Sequence, residues 1–486
     1  MQVIFDLMEA SMGHYRELAE QYAKNAPSLF SSPVVPYDPL NARNLVHFCT
    51  YAENPYEGGV QPCEYTGWRD EEVSWHKTCY IHTGLNPSPT YKFWGPDCTK
   101  FLKKYFANTF EDGFPVGKAK HGIMCDEEGR VMMDGMLLKT AENECTCYWL
   151  DPWVEYCVDH CGMDVQGENL TEQVFLFQLG GPTSLQIVEA ATGENLHDIK
   201  FIHHRMSSID GCPVRILRMG MAGSLAYEIH GRIEDSHKVW NKVWEAGKKY
   251  GLRHLGITAY NMTHWENGFP QAYIDFLFPW CENPGFYEWL KKTGKGGMIR
   301  AGKEMPEIAL SGSMGKDIYK RYRNPIELGW GRTVNYDHDF LGKEALEKIR
   351  DNNPRKMVTL EWDVEDVLDV VRSQFQTEQE PYADISNPDD FSYGFPTYHA
   401  DMVVNENGDE IGMSTGRMLS YVYRSMISIA SVEQEYAEIG KDVYVVWGEP
   451  GTRQKRIHAK IARWPYFDTD RNQKVDLSQI PQGTMD

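Results

Sequence analysis

The fold is decided by two stretches of the sequence, Tyr91-Lys-Phe-Trp-Gly-Pro-Asp97 and Val174-Phe-Leu-Phe-Gln-Leu-Gly-Gly-Pro-Thr183. In each stretch an apolar segment runs into a Gly-Pro pair, and apolar residues at helical spacing follow. Proline suits the first turn of a helix, where its missing N–H would have no partner in any case. We therefore predict a strand, a tight turn and an amphipathic helix at both places, repeated at an interval of 86 residues.

A β-hairpin is predicted after each copy of this repeat. After the first copy, two apolar segments flank the turn Asp126-Glu-Glu-Gly129. After the second copy, the segments Phe201–Met206 and Val214–Arg218 flank Asp210-Gly211, a dipeptide that is strongly typical of a hairpin turn. Each half of the chain thus combines helices with antiparallel strands, and the predicted fold class is α+β.

The rest of the chain shows one clear helix and an all-β tail. Apolar residues recur with a period near 3.6 from Ser236 to Tyr250, and Gly251 follows as a helix stop. From about residue 390 short apolar segments alternate with turns such as Asn407-Gly408. The acidic stretch between Trp362 and Asp390 is predicted to be a solvated connection with one helix.

These patterns divide the chain into three parts. Residues 1–65, with a weak helical pattern and a Pro- and Asn-rich stretch, are predicted to be an N-terminal extension. Residues 66–350 hold the two repeated units, and residues 351–486 hold a β-barrel-like domain. The total of 486 residues agrees with about three domains at roughly 150 residues each.

Charge and composition exclude several classes of protein. The formal net charge is −21, so the electrostatic field repels phosphate backbones, and nucleic-acid binding is not expected. Apolar runs are far shorter than the 18 or so residues of a membrane span, and Asp6 and Glu9 stand where a secretory signal would be basic or apolar. We expect a cytoplasmic protein with no membrane contact. Its oligomeric state is not predictable from these features.

Four cysteines raise the question of a metal site. Cys145 and Cys147 are followed by Cys157 and Cys161, with His160 beside the last. Zinc or iron would fit these ligand types, but the spacing is not a paired C-x-x-C pattern, and Cys157 and Cys161 are spaced like core positions of a helix. The odd total of 11 cysteines is typical of free thiols in a reducing compartment. We therefore predict buried or half-buried free thiols and no metal.

Several motifs in order resemble one known family. They are Gly95-Pro96-Asp97, the turn Asp126–Gly129 before Asp134, Leu225–Gly231, Asn324–Gly329, Asp337–Leu346, and Asn405–Gly416 in the tail. Over residues 75 to 470 the chain resembles the tetrahydrofolate-dependent aminomethyltransferases, the glycine cleavage T-protein family. The resemblance implies a three-domain cloverleaf, in which two mixed α/β folate-binding domains surround a central cavity and a small C-terminal β-barrel completes the molecule.

Within this family, three motifs resemble the folate-dependent aromatic O-demethylases that act on vanillate, methylgallate or syringate. They are Arg218–Gly223, Lys118–Lys120 ahead of Met132–Gly135, and Ala259-Tyr260 ahead of Glu266–Gly268. This resemblance implies methyl transfer from a methoxylated aromatic compound to tetrahydrofolate, giving 5-methyltetrahydrofolate. Demethylation of a sulfonium or amine, aminomethyl transfer, and a non-enzymatic folate-binding assembly role are the alternatives on the same fold.

Residues for folate follow from the resemblance. A carboxylate reads the pterin edge well because it accepts two neighbouring N–H groups through charge-assisted bonds. Glu228 matches the pterin-binding glutamate of the family, although the residues alone would also allow an ordinary surface glutamate. Gln178 is a second candidate, but the family places this glutamine directly before Gly-Pro, where this chain has Gly180. The aromatic residues predicted to flank the cofactor are Tyr227, Phe269 and Trp330.

Two residues are predicted to be catalytic. Loss of a methyl group from an ether needs a general acid near the leaving oxygen. Tyr260 matches the tyrosine that the aromatic demethylases place there, although as one of 27 tyrosines it could also be a core residue. Asp134 stands alone in Met133-Asp134-Gly135, where the aminomethyltransferases carry two acids, and it would contact folate or cap a turn.

The donor side is predicted to be aromatic and uncharged. His121, Trp149 and Trp265 are the candidate substrate-binding residues. Vanillate-type demethylases hold the aryl carboxylate with an arginine after the Asp134 position, but this chain has no arginine between Arg130 and Arg205. We therefore expect an aromatic methyl ether that is larger than, or lacks the charge of, a methoxybenzoate.

Overall fold

The computed structural model describes residues 47–50, 60–83, 88–110, 114–171, 173–272, 274–293, 310–385, 398–468 and 471–485. Most of the predicted N-terminal extension lies outside these residues. The α-helices in the described ranges are α1 Trp68–Lys77, α2 Cys98–Tyr105, α3 Trp153–His160, α4 Ser184–Thr192, α5 Ser236–Gly247, α6 Ile257–Asn267, α7 Pro284–Thr293, α8 Lys343–Ile349 and α9 Val364–Ser373. Among these helices, none combines the length and the apolar character needed to cross a bilayer.

The strands of the described ranges form two large sheets, a barrel and two short pairs. They are β1 His47–Thr50, β2 Val60–Glu64, β3 Cys79–His82, β4 Thr90–Trp94, β5 Ala119–Cys125, β6 Val131–Ala141, β7 Glu144–Tyr148, β8 Gln166–Asn169, β9 Val174–Gly180, β10 His204–Ile209, β11 Cys212–Leu217, β12 Ala226–Arg232, β13 Leu252–His254, β14 Leu310–Ser311, β15 Arg355–Trp362, β16 Tyr398–His399, β17 Asp401–Val404, β18 Glu410–Ser420, β19 Ser425–Glu433, β20 Asp442–Trp447 and β21 Lys455–Ala462.

The predicted repeat is confirmed in both halves of the chain. In the first, β4 leads through Gly95 into α2; in the second, β9 leads through Gly181 into α4. The two glycines have φ values of 146° and 137°. A Cβ at either glycine would stand 2.3 Å from a backbone carbonyl oxygen, of Asp164 and Thr78 respectively. Glycine is therefore required at both turns, because only it combines this φ with such close packing.

Each repeat builds one sheet. The first sheet has the strand order β5-β6-β7-β4-β8, and the second has the order β10-β11-β12-β9-β3-β13. Both predicted hairpins are present, β5-β6 in the first sheet and β10-β11 in the second. The second hairpin turns at Asp210 and Gly211, whose φ values of 51° and 78° fit the two-residue turn predicted from the sequence.

The second hairpin begins later than its sequence predicts. Its first strand starts at His204 and not at Phe201, because the preceding residues form a turn that joins the two sheets. Within this turn Ile202 has a φ of 53°, and its carbonyl oxygen accepts a hydrogen bond from the N–H of Ala119 at 2.8 Å. The predicted helix over 236–250 is also shorter, since α5 ends at Gly247 and a 3₁₀ turn precedes Gly251.

The all-β tail is a closed barrel with the strand order β15-β19-β18-β17-β20-β21. It includes β15, which precedes the stretch where the sequence pattern becomes all-β. The predicted helix of the acidic stretch is α9, and the Asp363 side chain caps it by accepting from the N–H of Asp366 at 3.0 Å. After the barrel the chain returns to the second sheet, where the Asn472 N–H donates to the carbonyl oxygen of Gly223 at 2.8 Å.

A buried pair of carboxyl groups ties helix α6 to the barrel. Oγ of Ser420 lies 2.5 Å from Oε1 of Glu72 and 2.9 Å from Oε1 of Glu266. The same oxygen also accepts the N–H of Tyr423 at 3.0 Å. A hydroxyl has one proton to donate, so it cannot serve two ionised carboxylates at once. One of the two carboxyl groups therefore carries a proton.

The protonated member of this pair is Glu72. Burial, followed by the nearby charge of Glu266, raises the pKa of Glu72 to about 8. Glu266 also accepts Nε1–H of Trp75 at 2.9 Å and faces Nε2 of His76 at 2.8 Å. These contacts belong to Glu266 and not to Glu72, so the two acids have different partners.

Replacing Glu72 by glutamine should change how stability depends on pH. In the wild type the unfolded chain ionises Glu72 first, so the free energy of unfolding falls as pH rises from the ordinary glutamate value towards 8. Glu72→Gln removes this ionisation. Between the ordinary glutamate pKa and pH 8, we expect the free energy of unfolding of the variant to fall by less than that of the wild type, the difference being on the order of 2 kcal/mol. Chemical denaturation at several pH values measures the difference. Equal slopes for the two proteins would contradict the shared proton.

Candidate functional site

The two sheets face each other across an apolar cluster. From the first sheet the cluster contains Ala119, Met136, Leu138 and Tyr148; from the second sheet and its continuation it contains Leu176, Leu217 and Met219. Trp149, Met221 and Tyr260 are partly buried against it. The predicted substrate residue Trp149 and the predicted catalytic residue Tyr260 therefore border the same cluster, between the two repeats.

Glu228 lies on the face of β12 that the second sheet turns towards this cluster. Its side chain is only 3% exposed. Oε1 accepts from Nε2 of Gln178 at 3.1 Å, and Oε2 faces Nε2 of His230 at 3.0 Å. Glu228 and Gln178 are direct partners in the β12–β9 ladder, so the sheet itself brings the two predicted folate residues together.

Tyr80 extends this polar row across the sheet. Its hydroxyl donates to Oε1 of Gln178 at 2.8 Å. Tyr80 is paired with Gly180 in the β3–β9 ladder, and a Cβ on Gly180 would lie 2.5 Å from the tyrosine ring. The absence of a side chain at Gly180 therefore lets Tyr80 reach Gln178. The row runs from Tyr80 through Gln178 and Glu228 to His230.

Tyr260, on helix α6, is near this row. Burial, followed by the charge of Glu228, raises the pKa of the Tyr260 phenol well above its usual range. The ring of His82 stacks on Tyr260 at 4.2 Å between centroids, and the ring of His264 meets it edge-on at 4.7 Å. Burial lowers the pKa of His82 to about 4 and that of His264 to about 3, so both imidazoles are neutral at neutral pH.

A second polar pair lies on the first sheet. Nε2 of His121 is 2.9 Å from Oδ2 of Asp134, the two residues being on neighbouring strands β5 and β6. The His121 ring lies against Trp330 at 4.6 Å and against Phe269 at 5.1 Å. Because Phe269 is also 6.1 Å from the ring of His264, a continuous line of rings joins this pair to Tyr260.

The structure thus gathers most of the predicted site residues. Six of them lie in the two polar groups or against the cluster that separates the sheets, and two more, Phe269 and Trp330, pack on the ring of His121. The six are Tyr260, Asp134, Glu228, Gln178, His121 and Trp149. The arrangement places a buried carboxylate and a protonated phenol on one side and a carboxylate–imidazole pair on the other. Such groups can read hydrogen-bond donors, protonate a leaving oxygen and take up a proton.

Two predicted residues are not brought to this place. Tyr227 precedes Glu228 on β12 and therefore points to the opposite face, into the core formed with helices α4 and α5. Trp265 lies in the cluster between α6 and the barrel, and a Cβ on Gly416 would stand 2.2 Å from its Nε1.

Four functional candidates were not predicted from the sequence, namely Tyr80, His82, His230 and His264. Two of them carry a local signal. His230 is two residues from Glu228 on a strand and so shares its face, and His264 is four residues from Tyr260 on a helix and so shares its side. Tyr80 and His82 have no such signal, because their strand joins the sheet beside a strand almost a hundred residues away.

The four cysteines considered as metal ligands are free thiols. Cys145 and Cys147 are buried on β7, Cys157 is buried on α3, and Cys161, directly after α3, is half-buried. Within the described ranges, one trio, Glu72, His76 and Glu266, has donor atoms within 4.8 Å of one another. Its carboxylate oxygens already accept the hydrogen bonds described above. The absence of a metal site stays a prediction.

Comparison with known proteins agrees with this geometry. Residues 68–276 match the family model described as the GCVT N-terminal domain. A sesamin methylene transferase of Sinomonas sp. (strain No.22) is 40% identical over 437 residues, which cover 88% of this chain and 95% of the relative. A syringate O-demethylase of Sphingobium sp. (strain SYK-6) is 30% identical, covering 90% of this chain and 96% of the relative.

A solved structure supports the fold. The glycine cleavage system aminomethyltransferase T from Bartonella henselae aligns with a TM-score of 0.64 over 91% of this chain and 99% of that chain, at 16% identity. This likeness confirms the predicted cloverleaf architecture with its C-terminal barrel. With relatives matched almost end to end, the chain belongs to the glycine cleavage T-protein (GCVT) family of one-carbon transferases, as its motifs predict.

Proposed function

We propose that the protein demethylates an aryl methyl ether with tetrahydrofolate as the methyl acceptor, giving a phenol and 5-methyltetrahydrofolate. The observation that carries the proposal is that the Tyr260 phenol borders the cluster of aromatic and methionine side chains between the two repeats, within electrostatic reach of the Glu228 carboxylate. A proton donor and a reader of N–H groups are the two functions that this transfer requires. The relatives named above support the proposal.

The residues present fit tetrahydrofolate. A carboxylate oxygen accepts about two hydrogen bonds. Each oxygen of Glu228 has one contact in the described structure, with Gln178 and His230 respectively. One acceptor position remains on each oxygen, which suits the adjacent N–H and amino groups of a pterin. Glu228 and Gln178 would therefore hold the pterin, and Phe269 and Trp330 would flank it.

The protein's part in the reaction is the control of protons. Methyl transfer breaks the O–CH₃ bond and forms an N–CH₃ bond, so the ether oxygen gains a proton and the amine loses one. Tyr260 stays protonated because its pKa is raised, and its O–H can donate to the ether oxygen as the bond breaks. The His121–Asp134 pair, in hydrogen-bond contact at 2.9 Å, can accept the proton that the amine loses. These steps leave a neutral phenol product, and return of the amine's proton to Tyr260 restores the enzyme.

The donor side favours an uncharged ring. Tyr148, Trp149, Met136, Met219 and Met221 are apolar or aromatic, and they offer flat and adaptable surfaces. A carboxylate in such surroundings would lack a partner. We propose that neutral methoxyarenes are better donors than methoxybenzoates.

A second candidate donor is favoured by one relative. The relative that is 40% identical is named a sesamin methylene transferase. Methylenedioxyarenes are neutral bicyclic ethers in which one carbon bridges two aryl oxygens. Transfer of this carbon would give a catechol and methylenetetrahydrofolate, and it would use the same acid and the same carboxylate. We therefore include this class as the alternative donor.

A donor panel tests the proposal. Purified protein is incubated with tetrahydrofolate and with methoxyphenols, methoxybenzoates, methylenedioxyarenes, a dimethylsulfonium compound or a methylated amine. Mass spectrometry of the folate separates methyl from methylene products, which differ by two hydrogens. We expect a one-carbon folate from the neutral aryl ethers. Products from only the sulfonium or the amine would overturn the proposal.

Charged donors give a further expected result. Arg215 on β11 is electrostatically close to Tyr148, but its Nη1 donates to Nδ1 of His204 at 2.8 Å. Because this guanidinium is engaged, methoxybenzoates should have a KM at least about tenfold above that of the matching neutral methoxyphenols, which corresponds to about 1.4 kcal/mol. A preference for the acids that is lost in Arg215→Met would contradict the neutral donor site.

A further inference from the structure

His230 contacts Glu228 directly, and the proposed reaction gives this histidine no role. The two residues are two apart on β12 and so share one face of the sheet. Nε2 of His230 lies 3.0 Å from Oε2 of Glu228, and the histidine is only 4% exposed. The ring of Tyr148 from the first sheet packs on the imidazole at 4.4 Å between centroids. The histidine is therefore enclosed between the two repeats.

The direction of this hydrogen bond follows from the chemistry of the two groups. An ionised carboxylate can only accept, so Nε2 of His230 must carry the proton and donate it. Nδ1 of His230 has no hydrogen-bond partner among the described residues. A buried polar atom without a partner costs free energy, and a phenylalanine or leucine would avoid this cost. The bond to Glu228 is the one interaction in the described structure that a histidine, and not an apolar residue, provides here.

The surroundings of the pair come from several elements. The titratable or charged groups that face it are Arg215 on β11, His204 on β10, Tyr148 on β7, Tyr80 on β3 and Tyr260 on α6. Arg215 is the ladder partner of His230, and its positive charge is directed to His204. None of these groups is a second acid, so in the described part of the site Glu228 takes its hydrogen bonds from Gln178 and His230.

We propose that His230 is a positioning residue that holds the Glu228 carboxylate oriented for the pterin of tetrahydrofolate. The inference rests on the proposed function, because it assigns the acceptor to Glu228. With Nε2–H of His230 on one oxygen and Gln178 on the other, the carboxylate cannot rotate without losing a bond. Its two remaining acceptor positions are then presented together.

A pair of variants tests the proposal. His230→Met removes the donor and keeps an apolar side chain, while His230→Gln keeps an N–H at a similar reach. We expect His230→Met to bind tetrahydrofolate about tenfold to a hundredfold more weakly, with kcat at saturation within about threefold of the wild type. His230→Gln should recover most of the affinity. Anaerobic titration of tetrahydrofolate and steady-state kinetics measure both effects.

The comparison of the two variants distinguishes positioning from simple packing. A packing role would be lost to a similar extent in both variants, whereas a positioning role predicts that only His230→Met, which has no N–H for Oε2 of Glu228, loses affinity. His458→Met is the matched control, because His458 makes a similar 2.8 Å contact with Asp442 on the barrel surface.

Two results would overturn the inference. One is wild-type affinity in His230→Met. The other is an equal loss of affinity in both variants, which would make the histidine a packing residue only. Failure of the wild type itself to bind tetrahydrofolate would overturn the proposed function instead. Titration of the wild type reveals that failure before any variant is compared.

Discussion

Tyr260→Phe should lower kcat by at least about a hundredfold while tetrahydrofolate binding stays within about threefold of the wild type. The substitution removes the hydroxyl that would protonate the leaving oxygen and leaves the ring. The stacking on His82 and the edge contact with His264 involve the ring alone, so the shape of the site is kept. Single-turnover formation of one-carbon folate from a neutral aryl ether measures the chemical step.

The control for this variant is Tyr322→Phe. Tyr322 is also a buried tyrosine with a raised pKa, and it packs in a separate apolar cluster with Leu277 and Leu310. Its loss should leave kcat unchanged. Near-normal turnover by Tyr260→Phe would remove the tyrosine from the mechanism, and the His121–Asp134 pair would become the remaining candidate for the acid.

Glu228→Gln should weaken tetrahydrofolate binding by about a hundredfold or more, since two charge-assisted hydrogen bonds to the pterin become neutral. The NH₂ group of the new amide would also face Nε2 of either Gln178 or His230. Because these nitrogens donate to Glu228 in the wild type, two donors would then face each other and one hydrogen bond would be lost. The variant should therefore lose part of the internal row as well. Titration of tetrahydrofolate gives the affinity, and thermal melting shows whether the fold is kept.

A surface carboxylate provides the comparison for Glu228→Gln. Glu361 on β15 is exposed and accepts from Oγ of Ser425 at 2.8 Å, so Glu361→Gln changes one charge without touching the site. Its affinity for tetrahydrofolate should equal that of the wild type. Undiminished binding by Glu228→Gln would show that the acceptor lies elsewhere, and the proposed assignment of this residue would fail.

Much of the architecture is predictable because local rules govern it. The positive φ of the two Gly-Pro turns is a local requirement that glycine meets, and the Asp210-Gly211 turn has a conformation that few other dipeptides adopt. The close contacts of Gly95 and Gly181, in contrast, are made with residues distant in the sequence. The boundary at Phe201 is wrong for the opposite reason. Residues after it look apolar enough for a strand, but a contact with Ala119, far away in the chain, bends them into a turn.

The site is less predictable because it is assembled across strands. Period-two alternation places Glu228 and His230 on one face and Tyr227 on the other, so the position of Tyr227 could have been read from the sequence once Glu228 was chosen. The pairing of Glu228 with Gln178 could not be read from the sequence. Gln178 is 50 residues away, and only the order of strands in the folded sheet makes the two residues neighbours.

The division of the site between two sheets has a consequence for how such proteins diversify. The residues proposed to hold the acceptor lie on β9 and β12 of the second sheet, whereas His121, Asp134, Tyr148 and Trp149 belong to the first sheet or directly follow it. Substitutions in the first sheet at positions other than Tyr148, whose ring packs on His230, can therefore alter which ether is accepted while the Glu228 row stays intact.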